Sequence, residues 1–102
     1  MSRYVLGRGA EKDLDGIWDY IAADSVDAAD RWIEKLFDAF ERLARNPGLG
    51  HRRKDLTQLP VYFWPVGRYL VIYRNAKRRV EIVGVAHGSR HIPGFLHGRK
   101  AE

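Results

Sequence analysis

Between Gly67 and Arg90 the chain places Arg68, Arg74, Arg78, Arg79 and Arg90 within reach in sequence of the His87 imidazole and the Tyr73 phenol. Gathered at one point, these groups are the parts of a metal-free RNA cleavage site. Guanidinium groups hold the phosphate, while the imidazole and phenol exchange protons with the 2′-hydroxyl and the leaving oxygen. Spread along a surface, the same residues are the cationic rim and aromatic anchors of a protein-binding face. Arg68 and Arg74 share one strand parity with Leu70 and Ile72, and neither their facing nor their distance to His87 follows from the sequence.

Other chemistries find no foothold. There is no Cys, and none of Ser2, Ser25 or Ser89 sits in a Gly-x-Ser-x-Gly turn. The chain has neither a GxxxxGK[ST] phosphate loop nor a strand-turn-helix GxGxxG. His87 and His91 are one helical turn apart in sequence, but Gly88 and Pro93 argue against a continuous helix through them and no nearby carboxylate completes a metal site. No metal and no cofactor is expected.

The elements that must position these groups are readable from periodicity. Arg3 to Leu6 is a short extended segment closed by Gly7 and Gly9. Ala10, Leu14, Ile17, Trp18, Ile21 and Ala22 then recur at helical spacing opposite an acidic face. Ser25 is the expected N-cap of a second helix whose stripe runs through Ala29, Trp32, Ile33, Leu36, Phe37, Phe40, Leu43 and Ala44, and Asn46-Pro47-Gly48 stops it. The short link between the helices predicts an antiparallel hairpin with Trp18 and Trp32 near its seam. Leu49 to Pro60 reads as a basic loop, and Val61 to Val66 as an edge strand carrying Pro65. Tyr69 to Arg74 and Val80 to Ala86 read as central strands joined by a basic connector, Asn75 to Arg79. The expected fold is α+β, with order β-α-α-β-β-β: an N-terminal strand and a helix hairpin packed on one face of a mostly antiparallel sheet of three to four strands. Residues 1–92 form the expected single domain and 93–102 a C-terminal tail.

At 102 residues and without cysteine, the chain is long enough for one core without disulfide or metal support. Its net charge of +5 is unevenly divided: residues 1–46 hold 7 Lys or Arg against 10 Asp or Glu, and residues 47–102 hold 11 against 3. A cationic second half steers the molecule toward something anionic, whether nucleic acid or an acidic polypeptide. The N-terminal stretch lacks the apolar core of a signal peptide and no window approaches a membrane span, so a cytoplasmic protein without membrane contact is expected.

The helix-pair pattern from Ala10 to Leu56, followed by GRYLVIYR and RRVEIVGVAHGSR, resembles the ParE branch of the RelE/ParE superfamily of bacterial type II toxins over Arg3 to Arg90. The resemblance implies a toxin neutralised by a ParD-like antitoxin that wraps it, with DNA gyrase as the target. In the RelE branch, messenger RNA is cut on the ribosome by lysines in the strand after the second helix, an arginine in the next strand, a second arginine beyond the last strand and a C-terminal tyrosine. The matching positions here are Val61 and Phe63, Leu70 and Arg90, with the tyrosine falling near Leu96. Only Arg90 retains the required chemistry, since hydrocarbon neither neutralises phosphate nor moves a proton.

The resemblance therefore implies a non-catalytic inhibitor. Trp64, Arg68, Tyr69, Tyr73, Arg74, Arg78 and Arg79 are the candidate antitoxin-binding residues, and His87, Arg90, Phe95 and Arg99 the candidate target-binding ones. The alternatives are a ribosome-dependent endoribonuclease working through His87, Arg90 and Arg68, and a nucleic-acid-binding module, for which direct binding is not expected.

Overall fold

The computed structural model describes residues 3–99. In chain order the elements are β1 (Tyr4–Leu6), α1 (Arg8–Ala22), α2 (Val26–Arg45), β2 (Tyr62–Val66), β3 (Tyr69–Ala76), β4 (Arg79–His87) and α3 (Ile92–Leu96). The four strands form one sheet in the order β1-β4-β3-β2. β1 runs parallel to β4, and the other two pairings are antiparallel. This is the expected α+β arrangement, with β3 and β4 central and the Pro65 strand at an edge, where its missing N–H breaks no ladder bond.

Local chemistry sets the helix limits. The Ser25 hydroxyl accepts from the Ala28 N–H at 3.1 Å, closing the first turn of α2. Asp27 in that turn and Arg42 and Arg45 in the last complement the helix dipole. Asn46 then leaves helical geometry ahead of Pro47.

The sheet is covered on both sides. Against the helix hairpin, Leu14, Leu36, Phe40, Leu43, Tyr69, Val71, Val80, Ile82 and Val85 make the main core. Phe40, Leu36 and Leu43 are wholly inaccessible to water, each contributing roughly 1.5–3 kcal/mol by burial. The opposite face carries a second cluster, in which Val61, Phe63, Ile72 and Val83 pack against Ile92, Phe95 and Leu96 of α3. Phe95 and Leu96 of the expected tail thus cover a sheet face beside Ile92, the three falling on one side of a short helix that holds Pro93 in its first turn. Residues 100–102 of the expected tail lie outside the described residues.

A β-bulge decides which side chains face which core. Ile72 pairs with Gly84 and Tyr73 with Ile82, leaving Val83 as an extra residue in β4. Strict alternation from Val80 would turn Gly84 and Ala86 toward the helices. The extra residue turns Val85 there instead and sends Ala86 to the second cluster.

β1 is short, so β4 runs on past it with a free edge. Gly7 N–H reaches Ile82 O at 2.9 Å. Beyond that, the Asp13 carboxylate accepts from Val85 N–H at 3.0 Å and the Arg99 guanidinium donates to Val83 O at 3.2 Å. Two side chains continue the ladder where a strand is missing. The connector expected over Asn75 to Arg79 contracts to a two-residue turn, Lys77 and Arg78, since Ala76 and Arg79 still pair across the hairpin.

Candidate functional site

One groove collects four of the eleven candidate residues read from the sequence, Arg68, Tyr69, His87 and Arg90. Its helix wall is Lys12, Gly16, Ile17 and Tyr20 of α1; its sheet wall is Arg68, Tyr69, Val85, His87, Ser89 and Arg90. The groove is open and encloses about 630 Å³. Lys12, Gly16 and Tyr20 line one wall because they are spaced i, i+4, i+8 on α1. Arg68 and His87 come from the opposite ends of paired strands, the register Tyr69↔His87 setting them at one corner, and Gly88 N–H donates to Arg68 O at 2.8 Å. The bulge at Val83 is what brings His87 to the helix side, in parity with Val85.

The corner is built on aromatic contacts. Tyr69 meets His87 edge-on at 5.6 Å and Trp32 of α2 at 5.3 Å. Gly67, at φ 59°, lies where a Cβ would stand 2.6 Å from the Trp32 ring, so the β2–β3 turn approaches α2 as only glycine allows. His87 Nδ1 accepts the Ser89 N–H at 3.1 Å and lies 2.8 Å from its hydroxyl, which leaves the ring proton of the neutral form on Nε2. Lys12, Arg68 and Arg90 supply positive charge. Asp13, the acidic member of the wall, is neutralised by Arg99 at 2.7 Å.

The remaining candidates lie elsewhere. Tyr73 is fully buried; its hydroxyl donates to Pro47 O at 2.7 Å and accepts from Gly50 N–H at 2.8 Å, which ties down the segment after α2. A Cβ on Gly50 would sit 2.5 Å from that oxygen. Tyr73 is therefore a core residue and not an exposed anchor, and burial raises its phenol pKa above the usual value. Tyr69 reaches the groove but is mostly buried, and its phenol is likewise raised by burial. Trp64 is half-buried against the main core from the β2 edge. Arg74 pairs across the hairpin with the buried Glu81 and stands apart from Arg68. Arg78 and Arg79 sit at the far end of the sheet.

Two of the expected target-binding residues are engaged in the fold. Phe95 is 7 % exposed in the second cluster, and Arg99 stacks on its ring at 4.1 Å while holding Asp13. His87 and Arg90 remain exposed. Lys12, Gly16, Tyr20 and Ser89 were missed in the sequence. Their only signal was the helical spacing of the first three, which has meaning once α1 is known to lie beside β4.

Val61, Phe63 and Leu96 are 4 %, 3 % and 3 % exposed, and Leu70 packs against the same group. Val61, Phe63, Leu70 and Leu96, the positions that the resemblance matches to the nuclease branch's lysines, strand arginine and tyrosine, thus belong to one apolar cluster. Arg90 lies at its margin, 5.0 Å over the Phe95 ring. Among the described residues no group of His, Asp and Glu could hold a metal ion, and no helix is long and apolar enough to cross a membrane.

The family model described as the ParE toxin of the type II toxin-antitoxin system parDE matches residues 4–92. The chain belongs to the ParE toxin family. It is 30% identical over 89 residues to Toxin ParE1 of Mycobacterium tuberculosis, in each of two strains, covering 84% of this chain and 89% of the relative. Its fold is that of a solved chain of the chromosomal ParDE toxin-antitoxin system from P. aeruginosa, with a TM-score of 0.70 at 19% identity over 85% of this chain and 96% of that one.

Proposed function

We propose that this ParE-family toxin acts in the cytoplasm by stoichiometric binding, that DNA gyrase is its target, and that a ParD-like antitoxin neutralises it by laying an acidic segment in the groove between α1 and the sheet. The carrying observation is the convergence of Val61, Phe63, Leu70 and Leu96 in one apolar cluster. A phosphodiester transition state needs charge and proton transfer, and of the matched positions Arg90 alone carries a charge, the others being hydrocarbon. Antitoxin capture is supported by the groove itself, where Ile17, Tyr20 and Tyr69 offer apolar contact and Lys12, Arg68 and Arg90 a cationic rim. His87 and Arg90, the exposed members of the target-binding set, lie in that groove, so an antitoxin seated there would cover them. Neutralisation then follows by occlusion.

The test is a supercoiling assay with purified toxin. Inhibition should saturate near one toxin per gyrase active unit and be reversed by one equivalent of antitoxin. Unimpaired supercoiling at large molar excess would remove gyrase as the target.

A ribonuclease reading has one observation in its favour, namely that Arg68, His87 and Arg90 share the groove with the Tyr20 phenol. Codon-positioned cuts in a translation reaction, abolished by His87→Ala with Arg90→Ala, would put that reading first.

A further inference from the structure

The groove lies where β3 begins and β4 ends; the other end of the same hairpin carries a second concentration of charge. Arg3, Lys77, Arg78 and Arg79 surround an open hollow of about 680 Å³, whose remaining lining residue is Ala76. The parallel register Tyr4↔Val80 sets Arg3 beside Arg79, and Val80 N–H bonds Arg3 O at 3.3 Å, so strands from the two ends of the chain build the cluster. None of the four side chains has an ion-pair or hydrogen-bond partner among the described residues. Two residues back along the strand, by contrast, Arg74 is neutralised by Glu81. The hairpin therefore pairs its inner cation and leaves those at its tip free.

The turn is held against local preference. Arg78 has φ 58°, the left-handed region where glycine or asparagine is the unstrained choice. An arginine kept there fits a role for its charge. The hollow also lacks what a peptide-binding surface requires: no aromatic or large aliphatic side chain lines it. Tyr4 and Glu41 line the adjoining hollow that shares Arg3 and Arg79, while the tip itself presents cations without an apolar anchor or stacking ring, a surface suited to a polyanionic rail contacted through its charges.

We propose that the β3–β4 hairpin tip, with Arg3, is a binding surface for the phosphate backbone of duplex DNA, used without base readout and separate from the antitoxin groove. Each cation that neutralises a phosphate releases counterions, so four contacts give a log–log salt slope of about −3.6. The surface does not depend on the gyrase reading, although a DNA-bound enzyme as target would place it near such a backbone.

Fluorescence anisotropy of a labelled duplex with the purified full-length chain tests this. Wild type should bind with a slope near that value. Lys77→Glu with Arg79→Glu should weaken binding at least tenfold at low salt and cut the slope to about half, as loss of two of four phosphate contacts requires. Arg31→Glu with Lys35→Glu, an equal charge change on α2, should leave the slope in place. Arg78→Gly is the second arm, since it relieves the turn while removing one charge. It should melt at a higher temperature than wild type and still lose about one unit of slope. Equal losses from the α2 and hairpin reversals, stronger binding to duplex RNA than to DNA, or competition by poly-glutamate as effective as by unlabelled duplex would each overturn the proposal.

Discussion

The carboxylate of Asp13 and the guanidinium of Arg99, 86 residues apart in sequence, meet in a two-pronged pair with N–O distances of 2.7 and 2.8 Å. The same Asp13 oxygen that takes the shorter bond also accepts Val85 N–H, so one residue of α1 joins the sheet edge to the end of the chain. The approach is possible because Gly9 and Gly84 lack side chains: a Cβ at either would stand within 2.7 Å of an Arg99 nitrogen.

Asp13→Ala should therefore destabilise the protein more than Arg99→Ala. The first leaves both the guanidinium and a backbone N–H without an acceptor; the second leaves one partly buried carboxylate that still holds Val85. Losses of ~3 and ~2 kcal/mol are expected from the usual cost of orphaned buried groups. Arg99→Lys should recover little, because an ammonium cannot make the fork. Urea unfolding of the three variants checks the order, and equal stabilities for Asp13→Ala and Arg99→Ala would contradict it.

Burial raises the phenol pKa values of Tyr4, Tyr69 and Tyr73 above 10.0. A group whose folded pKa is raised contributes stability that is full below the unfolded value and is lost as pH climbs through the folded one. Stability should thus be flat up to about pH 10 and fall beyond it. Tyr73→Phe should flatten that alkaline fall while lowering stability at pH 7 by ~2 kcal/mol, since Pro47 O and Gly50 N–H lose their shared partner. Thermal melts between pH 7 and 11 measure both effects.

Gly16 sits mid-helix, exposed, with nothing within 4 Å of where a Cβ would lie. Gly16→Ala should stabilise the free toxin by up to ~1 kcal/mol through helix propensity. If the antitoxin segment occupies the groove as proposed, larger side chains at this position should weaken the complex even as the free protein gains. Titration of Gly16→Leu with antitoxin, beside its melting curve, separates the two, and unchanged affinity would place the segment elsewhere.

Phe63→Lys restores a cation at one position of the nuclease pattern. At 3 % exposure between Ile72 and α3, the ammonium would be buried without a partner, and a loss of roughly 3 kcal/mol or more is expected. No RNA cleavage should appear. A stable variant that cut messenger RNA would show that the cluster opens to water.

Much of the fold was legible because its signals are short-range. The stripe from Ala29 to Ala44, the Ser25 cap and the Asn46-Pro47 stop define α2 through interactions within one or two turns. The two Val/Ile-rich runs likewise announced β3 and β4 as central strands. Phe95 and Leu96 lie in a five-residue helix, which has too little periodicity to reveal the sheet face beneath it.

The facing of the strands was beyond that reach. A single extra residue, Val83, changes which side every later residue of β4 presents, and it carries His87 to the α1 side, where Lys12, Tyr20 and Arg68 also arrive. The sequence alone determined the elements from β1 to β4, the charge asymmetry and the family likeness, since these rest on residue type and local spacing. Only the tertiary structure decided that Arg68, His87 and Arg90 share a groove, that Tyr73 and Phe95 are core, and that Arg99 closes on Asp13. Those outcomes depend on register and on contacts between distant segments, which no local pattern encodes.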